Sequence, residues 1–199
     1  MSRRMKSPAA ARNRQPILDV LSRILPERAT ILEVASGSGE HGLYCAEAKP
    51  GWTWQPSDPN AEARGSISAW RESAGLDNLR EPLPLDVTGI WPAGPFDAVV
   101  AINLIHISPW AVCEALMARS AERLRQGGVL YLYGPYRREG RHTAPSNEAF
   151  DADLKARDPR WGVRDLEQVV DEAQQHGFVL EQIVEMPANN LSVVLRLHA

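Results

Sequence analysis

Residues 30–42, Thr-Ile-Leu-Glu-Val-Ala-Ser-Gly-Ser-Gly-Glu-His-Gly, constrain this chain more than any other stretch. Ile31, Leu32 and Val34 make the short apolar run of a parallel strand covered on both faces. Gly37 and Gly39 permit a tight turn and leave no Cβ between the backbone and a ligand. A helix starting there presents unpaired N–H groups to that ligand. In open α/β sheets the crevice at the carboxyl end of the first strand binds nucleotides. The segment therefore predicts an α/β domain with a nucleotide-like ligand.

Gly37, Gly39 and Gly42 also satisfy G-x-G-x-x-G, the dinucleotide fingerprint, so NAD is one candidate. Glu33 favours another. A carboxylate four residues before Gly37 repels a pyrophosphate and suits a ligand bearing an ammonium and a sulfonium. Glu33-Val34-Ala35-Ser36-Gly37-Ser38-Gly39 resembles the acidic-x-Gly-x-Gly-x-Gly motif of class I S-adenosylmethionine (SAM) methyltransferases, with Ala35 in place of the first glycine. On that resemblance Glu33, Ala35, Ser36, Gly37 and Gly39 are cofactor-binding.

Further stations follow at the spacing of βαβ units. Trp52–Pro56 has strand composition and leads to Asp58, about twenty residues past the turn, where a carboxylate accepts ribose hydroxyls. Leu83–Asp86 is expected as a third strand. In SAM enzymes an acidic residue at the position of Asp86 meets the adenine amino group, a hydrogen-bond donor. Phe96–Ile102 is the strongest strand pattern, and Asn103-Leu104-Ile105-His106 after it resembles the strand exit of small-molecule methyltransferases. Asn103 and Leu104 thereby join the cofactor set. Singly, Glu33 reads equally as an ion-paired strand residue, Asp58 as a helix cap and Asp86 as a turn cap. Their order and spacing carry the assignment.

The 199 residues with a net charge of −3 suit one globular domain and disfavour a general nucleic-acid surface. Arg3, Arg4, Lys6, Arg12 and Arg14 make a basic start, and residues 1–12 are expected to be a disordered tail before a single domain over 13–199. Cys45 and Cys113 show no disulfide or zinc spacing, so no metal is expected. No apolar run reaches the roughly twenty residues of a membrane helix, nor is there a secretory leader, so a cytoplasmic location is expected.

Along the chain, helices are expected over 16–25, 61–72, 110–125 and 164–176, with a strand over 129–133. Residues 135–163 break the rhythm with Pro135, Gly140, Pro145, Pro159 and Gly162, and the aromatics Tyr136, Phe150 and Trp161 argue against disorder. The segment is expected to be a lid over a small-molecule pocket. Residues 178–186 and 191–197 read as a hairpin across 187–190. The result is a Rossmann-like α/β fold, a seven-stranded, mostly parallel sheet with a C-terminal antiparallel hairpin.

Several motifs together resemble a small SAM-methyltransferase-like family catalogued as a domain of unknown function and found in bacteria and animals. They are Arg12-Asn13, Pro16-Ile17-Leu18, Ala35–His41, Trp54-Gln55-Pro56-Ser57-Asp58, Asn103–Ile107, Tyr133-Gly134-Pro135-Tyr136, His142-Thr143, Ser146-Asn147, Phe150-Asp151, Trp161-Gly162 and Met186-Pro187-Ala188-Asn189-Asn190. The resemblance implies a class I methyltransferase fold with SAM as cofactor.

Methyl transfer asks the protein to align a nucleophile, exclude water and, for an oxygen or nitrogen nucleophile, accept a proton; a thiol needs only thiolate stabilisation. His106 is the candidate base because its ordinary pKa is near neutral, with a pocket-lining role as the alternative. Tyr136 is a second candidate, with packing as its alternative. Asn13, His142, Asn147, Trp161 and Asn189 are candidates for holding a small-molecule methyl acceptor. Three classes stay open: a SAM-dependent methyltransferase, an NAD-dependent oxidoreductase, and a SAM-fold binding protein without turnover.

Overall fold

The structure is a computed structural model and describes residues 4–198. Its strands are β1 (Ala29–Val34), β2 (Trp52–Pro56), β3 (Phe96–Ile102), β4 (Leu124–Gly134), the two-residue β5 (Arg137–Arg138) and β6 (Arg141–His142), β7 (Phe178–Met186) and β8 (Asn190–Leu197). Its α-helices are α1 (Pro8–Ile24), α2 (Glu40–Ala48), α3 (Ala61–Ala74), α4 (Trp110–Arg123), α5 (Pro145–Arg157) and α6 (Leu166–Gln175). Six strands form one sheet in the order β2-β1-β3-β4-β8-β7. The first four run parallel, and β8 is antiparallel to both its neighbours.

Adjacent strand residues point to opposite faces, so each strand feeds two cores. Leu32, Val99 and Leu130 pack on Leu116 of α4 and Val169 of α6. Ile31, Val100 and Tyr131 face Ile17 and Leu21 of α1 and Cys45 of α2. This double cover is why the parallel strands are apolar runs without alternation. Among the described residues no helix is long and apolar enough to cross a membrane.

Two expectations are corrected. The sheet has six strands, because residues 79–85 reach β2 only through isolated bridges of Leu79 with Trp54 and Leu83 with Ser57. Pro82 and Pro84 lack the N–H groups that a continuous ladder requires. The expected disordered tail is also ordered where it is described. Ser7 caps α1 with its hydroxyl accepting from the Ala10 N–H, and the helix runs through Pro16 to Ile24. Ala9–Ala11 are strong helix formers, and Ala10, Asn13, Ile17 and Leu21 share the buried stripe. Residues 1–3 of that tail lie outside the described residues. Within the inserted segment β5 and β6 pair as a small ribbon and α5 follows.

Candidate functional site

The backbone between β1 and α2 turns through three left-handed residues, Ala35 (φ 52°), Gly37 (φ 56°) and Gly39 (φ 87°). Gly39 is required: a Cβ there would stand 2.8 Å from Ile67 Cγ1 on α3. Gly42 lets α2 sit on strand β2, since its Cβ would fall 2.7 Å from Trp54 Nε1. Ala35 holds a conformation that costs an L-residue about 1 kcal/mol. Ser36 and Ser57 tie the turn down. The Ser36 N–H donates to Ser57 O (2.9 Å), the Ser57 N–H to Ser36 Oγ (3.1 Å), and the Ser57 hydroxyl to Glu33 O (2.7 Å).

Three carboxylates stand around this turn. Glu33 is 2 % exposed, accepts the Trp54 indole N–H at 3.0 Å, and is pushed up to about 7 by burial. Asp58 accepts the Gly37 N–H through Oδ2 and the Asn60 N–H through Oδ1, each at 2.9 Å, and so sets the turn's shape. Asp86 is exposed and accepts from the Thr88 N–H and hydroxyl at 2.9 and 2.7 Å.

Two cavities flank the turn. The first, about 300 Å³, is lined by Glu33, Ala35–Ser38, His41, Ile102, Asn103 and Ile107, and across from them by Met5, Lys6, Ser7, Ala9, Ala10 and Asn13. The second, about 220 Å³, is lined by Ala35, Pro59, Asp86, Val87, Leu104, Ser108 and Val112. Ala35 forms a wall of both, so an extended ligand lying across it reaches each. Met5–Asn13 cover the first cavity through polar ties: the Met5 N–H to Ser66 Oγ (2.8 Å), the Trp70 indole N–H to Met5 O (3.1 Å) and the Ser7 N–H to Glu40 Oε2 (2.6 Å).

The residues expected to do chemistry lie elsewhere. His106 is fully buried, its Nδ1 accepts the Arg164 N–H at 3.2 Å, and burial drives its pKa down to about 3. Tyr136 packs edge-on against it at 4.9 Å, with its hydroxyl buried and its pKa raised by that burial. Both work as core residues and line neither cavity. His142 lies 3.3 Å from Asp151. Asn147 donates to Asn189 O at 2.9 Å and Asn189 to Ser146 Oγ at 3.1 Å, pinning α5 to the hairpin turn. The half-buried Trp161 closes the turn after α5 through its N–H to Asp158 O. No residue of 135–163 lines either cavity. Of the expected acceptor-holding residues, Asn13 alone lines one, and there it meets His41, whose Nε2 is 2.7 Å from Asn13 Oδ1. His41 carried a signal in its place in the first turn of the helix after the glycines.

Residues 4–197 match the family described as "Protein of unknown function (DUF938)". The chain belongs to this family. Solved structures share the DUF938 chain's fold at low identity. An O-methyltransferase family protein from Burkholderia thailandensis superposes with a TM-score of 0.82 at 17% identity, over 96% of this chain and 58% of that one. Human N-acetylserotonin methyltransferase, solved with SAM, gives 0.79 at 15% identity over 96% and 53%. An O-methyltransferase family 2 protein from Planctomyces limnophilus, solved with apigenin, gives 0.74 at 18% identity over 94% and 62%. This chain therefore has the fold of SAM methyltransferases and spans a little over half the length of these structures.

Proposed function

We propose that this DUF938 protein is a SAM-dependent methyltransferase acting on a small molecule. The observation that carries the reading is Glu33: a buried carboxylate beside a glycine turn, on the wall of a cavity, poised near pH 7. An ammonium arriving there ionises it and recovers part of its desolvation cost. In this reading SAM lies across Ala35. Its amino-acid end meets Glu33 and the N–H group of Ser38, its ribose hydroxyls meet Asp58, and its adenine enters the second cavity beside Asp86 and Leu104. Asn103 lines the first cavity and, in this reading, belongs to the same cofactor set. The sulfonium is already activated, so the protein's task is alignment and exclusion of water.

The shared fold supports this reading, as do relatives of that fold solved with SAM and with apigenin. The test is a thermal shift with SAM, S-adenosylhomocysteine (SAH) and NADH, followed by methyl-labelled SAM in deproteinised cell extract. Ligand at a hundred times its Kd adds about 2.7 kcal/mol. A shift with NADH and none with SAM or SAH overturns the assignment, and binding without labelling reduces it to a SAM-binding protein.

A further inference from the structure

Two side chains far apart in sequence meet in a buried hydrogen bond on the wall of the first cavity, and the cofactor reading above does not use them. His41 Nε2 lies 2.7 Å from Asn13 Oδ1. An amide oxygen only accepts, so Nε2 carries the hydrogen and Nδ1 of the neutral ring is a bare lone pair. Nδ1 has no hydrogen-bond partner among the described residues. Burial, with the Arg14 charge adding to it, keeps the ring neutral down to about 4. The wall of the cavity that the pair lines is mostly apolar, with Ala9, Ala10, Ile102 and Ile107 beside the polar Lys6, Ser7 and Asn103.

We propose that His41 Nδ1 takes the proton in the methyl transfer, that Asn13 positions it, and that the methyl acceptor is a largely apolar compound bearing a hydroxyl. This rests on the methyltransferase reading. A lone pair of the hydroxyl oxygen attacks the methyl carbon; the O–C bond forms as the S–C bond breaks, and that electron pair stays on sulfur, leaving a thioether. The positive charge passes from sulfur to the oxygen, and the hydroxyl proton moves to Nδ1. The imidazolium keeps its Nε2–H on Asn13 Oδ1 and then releases the proton to water. A weakly basic ring suffices, because a hydroxyl becoming an oxonium is far more acidic than imidazolium. An amine leaves an ammonium too weakly acidic for a ring this weakly basic to deprotonate, and a thiol needs only its thiolate, so the dyad suits oxygen.

Imidazole NMR of the intact protein reads the tautomer, and is expected to find the His41 proton on Nε2 at neutral pH. Labelled SAM in deproteinised cell extract reads the transfer. His41→Ala is expected to slow labelling by roughly 10²–10⁴-fold while the SAH Kd stays within about threefold. Asn13→Asp keeps an acceptor for Nε2–H and is expected to stay within about threefold of the parent, whereas Asn13→Leu falls by about tenfold or more. Should His41→Ala not fold, the Asn13 pair and the tautomer decide. The proposal is overturned by a proton on Nδ1, by parent-like labelling in His41→Ala or Asn13→Leu, by SAH binding lost in step with rate, or by a parent that binds SAH and labels nothing. A parent that binds no SAH overturns the cofactor reading instead, and the tautomer still judges the dyad.

Discussion

The Trp54 indole N–H donates to Glu33 Oε2 at 3.0 Å inside the core, so a tryptophan on β2 holds the carboxylate at the end of β1. Gly42 on α2 exists to leave room for that indole. Strand, neighbouring strand and helix are thus fitted around one ionisable group.

That group makes stability depend on pH. The Glu33 pKa is raised in the fold from 4.5 to about 7. Its contribution is fully present below pH 4.5 and is lost as pH rises through 7, a change of roughly 3 kcal/mol. Denaturant unfolding of the unliganded parent is expected to show this loss between pH 5 and 8, on top of the opposite trend from His41 and His106. Glu33→Gln should remove it and equal or exceed the parent's stability at pH 8, while binding SAM more weakly. A variant that tracks the parent across the range contradicts the assignment.

His106 acts with the opposite sign. Its pKa is lowered from 6.5 to about 3, so its contribution is present above 6.5 and is lost as pH falls toward 3. His106→Asn, which retains an acceptor for the Arg164 N–H, is expected to flatten acid unfolding in that window. Unchanged acid sensitivity would show the histidine to be accessible to protons in the fold.

Asp58 organises the turn and, in the proposed function, the ribose. Asp58→Ala is expected to weaken SAH binding by about 1.5–3 kcal/mol, the range for hydrogen bonds to a charged group. Calorimetry on a folded variant checks it. Parent-like affinity removes Asp58 from the ligand.

Ala35 tests the strained wall between the cavities. Ala35→Gly exchanges relief at φ 52° for a more flexible unfolded chain, and net stability should stay within about 1 kcal/mol of the parent. Ala35→Val adds a branched Cβ in the same conformation and should cost more than about 2 kcal/mol while blocking SAH. Chemical denaturation and a thermal shift with SAH separate the two.

The N-terminal cover gives a proteolytic prediction. SAH is expected to slow tryptic cleavage after Lys6 and Arg12, which flank the first cavity, and to leave cleavage after Arg138, Arg141 and Arg157 unchanged. The reverse pattern would return the lid to residues 135–163.

Local chemistry alone determined the β1–turn–α2 unit, the apolar parallel strands and the terminal hairpin, because apolar runs, glycines at left-handed positions and turn residues act within a few residues of themselves. The same locality placed Glu33, Asp58 and Asp86 at the ends of their segments. What the chain could not declare locally is which polar residues meet. His106 has an ordinary titrating side chain by composition; burial against Arg164 and Tyr136 removes it from proton chemistry. Residues up to Arg12 read as a basic tail, and only packing of Ala10, Asn13 and Ile17 against the sheet and α2 makes Pro8 onward a helix that walls the site. Asn13 and His41 stand 28 residues apart and carry no shared pattern. Desolvation and side-chain pairing are properties of the assembled interior, and the tertiary structure alone decided them.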